Sequence, residues 1–220
     1  MELIIVRHGE TEWTISGQHT GITDLPLTPN GRRQAARLQP LAARILDGQN
    51  PAVYTSPRRR AVDTAELAFP DRQATLEPLL AEYDYGDYEA LTTEQITKQQ
   101  PGWDIWRDGC PHGESTDEVG ARADTFLRQA VGTSTGATVV VVTHGHFSRV
   151  LAATALGLAA RQGQLFASDT ASISVIGDHH AKRCIQLWNM TVDPADIHTR
   201  TPLPSTDYQS SLAAQTLTSP

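Results

Sequence analysis

The stretch Leu3-Ile4-Ile5-Val6-Arg7-His8-Gly9 decides how this chain folds. Four consecutive apolar residues, three of them β-branched, read as a strand buried on both faces of a parallel sheet. The run stops at an arginine and a histidine, which a buried strand would not carry. A second run, Thr138 to Val142 (TVVVV), stops in the same way at Thr143-His144-Gly145, and a shorter one, Ala52 to Tyr54, runs into Thr55-Ser56-Pro57.

Helical patterns follow each strand. Thr28-Pro29-Asn30 caps the segment GRRQAARLQPLAARIL, in which Pro40 is expected to interrupt or kink the helix. Pro57 is placed as a first-turn proline opening RRRAVDTAELAF. Ser115 and Glu118 have the spacing of a capping box ahead of EVGARADTFLRQAV. HFSRVLAATALG follows His144 and ends at Gly157. Ala171 to Ile176 and Cys184 to Trp188, separated by GDHHAKR, read as a hairpin or edge pair. This alternation implies a three-layer α/β/α sandwich, with helices on both faces of a mostly parallel sheet. Ligands in such folds bind beyond the carboxyl ends of the strands, where Arg7-His8, Ser56 to Arg60 and His144 would converge. Residues 1–192 are read as one domain. Within it, 77–113 forms an insertion covering the strand ends, with TTEQITKQ as its one short helical stretch. Residues 193–220, dominated by Pro, Ser and Thr, read as a polar tail.

The chain has 220 residues and a formal net charge of -7, with a sequence pI near 5.6. That balance argues against a general affinity for nucleic acid or anionic membrane, both of which select basic patches. Any anionic ligand must be held by a local cationic cluster working against the overall field. The two cysteines, Cys110 and Cys184, sit in no zinc-like spacing and imply no disulfide framework, so a reducing compartment is expected. With no secretory leader pattern and no apolar run near the roughly 18 residues of a membrane span, a soluble cytoplasmic protein is expected. The helix faces leave the oligomeric state open.

Four constellations carry chemistry. A histidine at a strand end followed by glycine, as in His8-Gly9, can tie one ring nitrogen to backbone and keep the other lone pair free for attack. The adjacent Arg7 offers fork geometry for phosphate oxygens. Taken alone, such a histidine is better explained by a turn that satisfies it. Arg58-Arg59-Arg60 opens a helix whose dipole disfavours cations there, which points to an anion brought to the site; pairing with Asp63 or Glu66 is the structural alternative. His144-Gly145-His146 repeats the strand-His-Gly arrangement, and with Asp84 or Asp87 it could also imitate a metal site. No further ligands fall at informative spacing, however. Finally, Glu82 to Glu89 interleaves four carboxylates with three tyrosines. Such a loop reads either as exposed with its tyrosines packed inward, or as a lid whose carboxylate takes up a proton beside a bound phosphate and so becomes a general acid.

Together RHGET at 7–11, SPRRRA at 56–61, a loop glutamate, PHGES at 111–115 and HGH at 144–146 resemble the histidine phosphatase superfamily, the phosphoglycerate-mutase-like fold. The resemblance spans roughly residues 1–188. It implies His8 as the phosphorylated nucleophile, with Arg7, Arg60 and His144 as the phosphate pocket. Glu82 would be the proton donor, in the L-x-E-x-x-x-G pattern of Leu80, Glu82 and Gly86. Arg58 stands where the family pattern has Leu, so a share for Arg58 or Arg59 stays open. Thr14, Gln18, Thr20, Gly21, Tyr85 and Gly145 are candidate substrate contacts, and Tyr85, His112 and His146 could line the sugar side. Trp103 and Trp106 are read as anchors of the insertion. The stretches GQHTGITDLPLTPNG, EYDYGDYEALTTEQI and WDIWRDGCPHGES resemble the sedoheptulose-bisphosphatase branch and actinobacterial acid phosphatases. Thr14 in place of the mutases' usual Asn, the Glu-Tyr loop, and Ala90 in place of a common Gly depart from the mutases.

The implied function is a phosphatase for small phosphorylated metabolites, sugar phosphates or bisphosphates, working through phosphohistidine with no metal and no cofactor. A phosphoglycerate mutase is the alternative, and a non-catalytic phospholigand-binding domain a further one. A bisphosphate would need a second cationic subsite, and Arg32, Arg33, Lys98 and Arg107 are too scattered along the chain to supply one by inspection.

Overall fold

In the computed structural model, residues 2–133 and 138–192 are described, so the polar tail expected at 193–220 lies outside the described residues. In chain order the elements are β1 (Glu2–Arg7), α1 (Glu12–Ser16), α2 (Pro29–Leu46), β2 (Ala52–Thr55), α3 (Arg59–Ala68), β3 (Thr75–Leu76), α4 (Thr93–Gln99), α5 (Ile105–Asp108), α6 (Thr116–Thr133), β4 (Thr138–Thr143), α7 (Gly145–Ala155), β5 (Ile173–His179) and β6 (Lys182–Met190). The described strands form one sheet in the order β3-β2-β4-β1-β5-β6. β3, β2, β4 and β1 run parallel, while β5 and β6 are antiparallel additions at one edge.

The apolar runs are continuous because both faces of the central strands are covered. Leu3 and Ile5 of β1, with Val139 and Val141 of β4, enter one core beside Val119, Phe126 and Leu151 of α6 and α7. Ile4, Val6, Val140 and Val142 enter the other, against Leu38, Ala42, Ala61 and Ala65 of α2 and α3. Successive strand side chains point to opposite faces, so each run feeds both cores. Each such side chain fully buried contributes about 1.5–3 kcal/mol.

Several local expectations change. Pro40 does not break α2. It and Ala36, whose carbonyl loses its partner, lie on the exposed face, where water can take the bond. Pro57 sits one residue before the N-cap, Arg58, rather than in the first turn of α3. The hairpin is longer than expected: β5 and β6 run through most of GDHHAKR and turn on His180 and Ala181, both with positive φ (48° and 60°). A two-residue turn of this type normally carries Asn or Gly, so it leaves no mark in this sequence. The 77–113 segment holds α5 as well as α4, with single 3-10 turns at Pro78–Leu80 and Gly86–Tyr88. The reciprocal cap of Ser115 and Glu118 is present, and Thr28 caps α2 through the Gly31 amide at 2.9 Å.

Pairing β1 with β4 in the register Arg7 to Thr143 has the main functional consequence. It brings His8 and His144, each one residue beyond its strand, side by side at the carboxyl edge of the sheet.

Candidate active site

His8 and His144 meet edge to face, with ring centroids 5.2 Å apart. His8 Nδ1 lies 2.7 Å from the Gly9 carbonyl. A carbonyl only accepts, so Nδ1 carries the hydrogen and Nε2 keeps its lone pair. Burial, reinforced by the Arg60 and Arg7 charges, holds this imidazole well below the usual histidine range, so it is neutral. The turn that carries it is clamped. The Gly9 amide donates to Thr64 Oγ1 at 3.1 Å, and the Glu10 amide to Gln34 Oε1 at 2.9 Å. A Cβ on Gly9 would meet the Gly31 carbonyl oxygen at 2.4 Å, and one on Gly31 would meet the Glu10 oxygen at 2.1 Å. Only two glycines let the nucleophile loop and the first turn of α2 approach this closely.

His8 opens onto a cavity of about 210 Å³ lined also by Arg7, Thr14, Gly17, Gln18, His19, Thr20, Glu82, Tyr85, Gly145, His146, Arg149 and Ser168. Arg7 donates to the Ser168 carbonyl and lies over Gly145, where an added Cβ would stand 3.1 Å from its Cζ. Its Nε is buried without a partner, an unmet donor beside the nucleophile. Glu82 is aimed by backbone. Its Oε1 accepts from the amides of Phe147 (2.8 Å) and Tyr83 (3.0 Å), and its Oε2 from His146 (3.1 Å). The carboxylate thus sits on the first free amides of α7, the end where a helix favours negative charge.

Arg60 and His144 are fully buried and stand behind this wall rather than on it. Arg60 Nε donates to His144 Nδ1 at 3.2 Å, and its terminal nitrogens donate to the carbonyls of Thr20, Gly21 and Thr23. His144 Nδ1 therefore accepts, and Nε2 donates to Ser56 Oγ at 2.7 Å. Burial and the surrounding arginines hold His144 well below the usual histidine range. Gly21 is also set back: its amide donates to Glu89 and its carbonyl accepts from Arg60. The Nε of Arg58 is buried without a partner, whereas Arg59 is exposed and faces Asp63.

The side of the cavity away from His8 is aromatic and histidine-rich. His19 stacks on Tyr85 at 4.7 Å, and the Tyr85 hydroxyl bonds His146 Nδ1 at 2.7 Å. Burial pushes His19 down to about 4 and holds His146 well below the usual range, while it raises the Tyr85 phenol well above its ordinary value. The wall is thus polar but uncharged, except for Arg149. That guanidinium stacks on Trp106 at 4.5 Å and donates to the carbonyls of Gly163 and Gln164, with no carboxylate paired to it among the described residues. Burial and the nearby Arg7 charge push it down to about 10, so it is cationic at neutral pH.

His112, expected on the sugar side, is exposed and pairs with Asp87 at 2.8 Å. The four scattered cations are likewise turned to other partners, Arg32 to Asp63, Arg33 to Asn30, Lys98 to Glu94 and Arg107 to Asp108. Trp103 anchors the insertion as expected, its indole donating to the Gly109 carbonyl. Arg149, His19 and Ser168 also line the cavity and are not among the residues expected there from the sequence. Arg149 had a signal, being four residues after Gly145 and hence on the same face of α7; Ser168, in an irregular segment, had none. No three His, Cys, Asp or Glu side chains gather as a metal-binding group among the described residues.

A model of the histidine phosphatase superfamily (branch 1) matches residues 3–191. The chain belongs to that superfamily. An acid phosphatase of Mycobacterium tuberculosis is 42% identical over 196 residues, covering 89% of this chain and 95% of the relative. The sedoheptulose 1,7-bisphosphatase of Saccharomyces cerevisiae is 39% identical over 183 residues, 70% of this chain and 67% of the relative. Among solved structures, that of an open reading frame from Mycobacterium tuberculosis superposes with a TM-score of 0.81 at 41% identity, covering 86% of this chain and 97% of the other. This histidine phosphatase is thus a phosphoric monoester hydrolase, the two relatives just described being named as phosphatases. Among its described residues no helix is long and apolar enough to cross a membrane.

Proposed function

We propose that this histidine phosphatase hydrolyses small phosphorylated metabolites, with His8 as nucleophile and Glu82 as proton carrier. The observation that carries the reading is the neutral His8, its Nδ1–H held by the Gly9 carbonyl and its Nε2 free at a cavity shared with Arg7 and Glu82. In the first step Nε2 attacks phosphorus in line, the bond from phosphorus to the ester oxygen breaks, and Glu82 gives its proton to the departing alcohol. The Gly9 carbonyl then faces the positive charge left on the ring. In the second step Glu82 takes a proton from water, whose oxygen displaces His8 and releases inorganic phosphate. Arg7 meets the phosphoryl oxygens directly, since its side chain lines the cavity beside His8. Arg60 adds its charge from behind His8, with the neutral His144 accepting from its Nε. No metal enters the scheme.

Thr14, Gln18, Thr20, Tyr85 and Gly145 are proposed as substrate contacts, since all line the cavity; Gly21 acts only through Arg60 and Glu89. Arg149 favours a substrate bearing a second anionic group, as in a sugar bisphosphate, because it is the cation at the far wall and carries no acidic partner there. The free Cys110 and Cys184 suit a reducing compartment, which fits a cytoplasmic enzyme. The test is a panel of sedoheptulose 1,7-bisphosphate, fructose bisphosphates, monophosphates and phosphoglycerates, assayed for phosphate release with and without EDTA. Release that EDTA leaves intact supports the reading. Interconversion of 3- and 2-phosphoglycerate without net phosphate release would establish the mutase instead.

A further inference from the structure

Glu82 is held by two sets of contacts, and only one of them belongs to the cavity. Its carboxylate takes three backbone amides, but its backbone lies in an irregular segment, with neither strand nor helix to hold it. Loops of this kind place a reactive group only as well as their supports allow. The support here comes from outside the cavity, from Arg122 in the middle of α6.

All five N–H groups of Arg122 are spent on this segment or on its brace. One terminal nitrogen donates to the carbonyls of Leu79 (2.7 Å) and Ala81 (2.8 Å), and the other to that of Glu82 itself (3.3 Å). The remaining two N–H groups form a bidentate pair with Glu114, 2.9 Å to each oxygen. Glu114 Oε2 then accepts the Asp84 amide at 2.9 Å, and the Glu114 amide donates to the Asp84 carbonyl at 2.9 Å. The guanidinium therefore grips the chain before Glu82 and at Glu82, and through Glu114 the chain after it. Its Cζ also lies 4.7 Å from the centre of the Phe147 ring, whose own amide holds Glu82 Oε1. Both halves of the Glu82 support thus meet at one side chain. Arg122 does not line the cavity, so its influence on the reaction has to pass through Glu82.

We infer that Arg122, braced by Glu114, is the positioning residue that sets Glu82 for proton transfer to the leaving alcohol. Lysine cannot replace it, because a point ammonium cannot serve five acceptors in one plane. The inference rests on the reading of Glu82 as proton donor, and the experiment separates the two.

Single-turnover release of the alcohol is measured for wild type, R122K, E114Q and E82Q, each checked for folding by circular dichroism. β-Glycerophosphate has a leaving group that needs a proton, and 2,4-dinitrophenyl phosphate has one that leaves without it. A displacement of order 1 Å costs about 100-fold, so R122K should lose roughly 10- to 100-fold with the alkyl ester at unchanged KM, and less than about threefold with the aryl ester. E114Q should fall between R122K and wild type with the same selectivity. If R122K and E114Q lose both esters equally, or neither, while E82Q loses the alkyl ester selectively, the inference is overturned and the Glu82 assignment stands. If E82Q itself shows no selectivity, the Glu82 assignment falls first.

Discussion

His8 and Arg7 hang from the end of β1, a strand paired on both sides by β4 and β5, whereas Glu82, Tyr85 and their neighbours come from a segment with little regular structure. The nucleophile wall inherits its geometry from sheet register: once Arg7 pairs with Thr143, His8 and His144 must be adjacent. The opposite wall has no such register. It is held by side chains reaching across the chain, Arg122 to the carbonyls around Glu82, Thr143 Oγ1 to the Leu80 carbonyl at 2.7 Å, and Tyr83 to Thr116 at 2.8 Å. The comparison teaches that the two halves of the proposed reaction have different weaknesses. Phosphate capture depends on buried cations and close backbone contact, and leaving-group chemistry depends on a few long-range side-chain staples.

Four changes would break or sharpen that contrast. The largest effect is expected from E82Q, which removes the proton carrier and leaves the nucleophile wall intact. Steady-state kcat for a sugar phosphate should fall about 10²- to 10⁴-fold, with KM little changed. Next, R149M should cost a bisphosphate roughly 10- to 100-fold in kcat/KM, the worth of one charge-assisted contact, and leave a monophosphate of the same sugar nearly unaffected. Equal losses for both would remove Arg149 from substrate recognition. G9A tests the close contact directly: the added methyl meets the Gly31 oxygen, so thermal unfolding should show a loss of about 1–3 kcal/mol, accompanied by lower activity.

The smallest effect concerns pH. His8, His19, His144 and His146 are all held below the usual histidine range in the folded chain. Below about pH 6.5 the unfolded chain takes up protons that the folded chain refuses, so stability falls as pH falls, by at most about 1.4 kcal/mol per unit for each group. Melting temperatures measured between pH 7 and 5 should decline, and H19F should decline less steeply because one such group is gone. The same downward shift keeps His8 unprotonated as the medium turns acidic, so the acid limb of kcat/KM should lie below about pH 6.

The asymmetry also governs what could be read from the sequence. The runs LIIV and TVVVV, each followed two residues on by a histidine, were enough to place His8 beside His144, because parallel strands in this kind of sheet align their carboxyl ends. Gly9 was legible as a turn, although its contact with Gly31 was not, since the loop after β1 and the first turn of α2 have to meet first. The leaving-group wall was legible only as a composition, carboxylates among tyrosines. Arg122 lies in an ordinary amphipathic helix pattern, and nothing local marks its five acceptors. Arg149 carried only its spacing from Gly145, one turn into a helix whose start had already been claimed by His144. His112, expected on the sugar side, misled because its place in the sequence says nothing about its side chain, which turns out to solvent.

The central claim is that His8 Nε2 becomes phosphorylated during turnover. Mixing the protein with a labelled phosphomonoester and quenching within milliseconds should trap protein-bound phosphate that survives base and is lost in acid, at up to one per chain, and H8A should trap none while losing activity by roughly 10⁴-fold or more. Equal trapping or normal turnover by H8A would contradict the account.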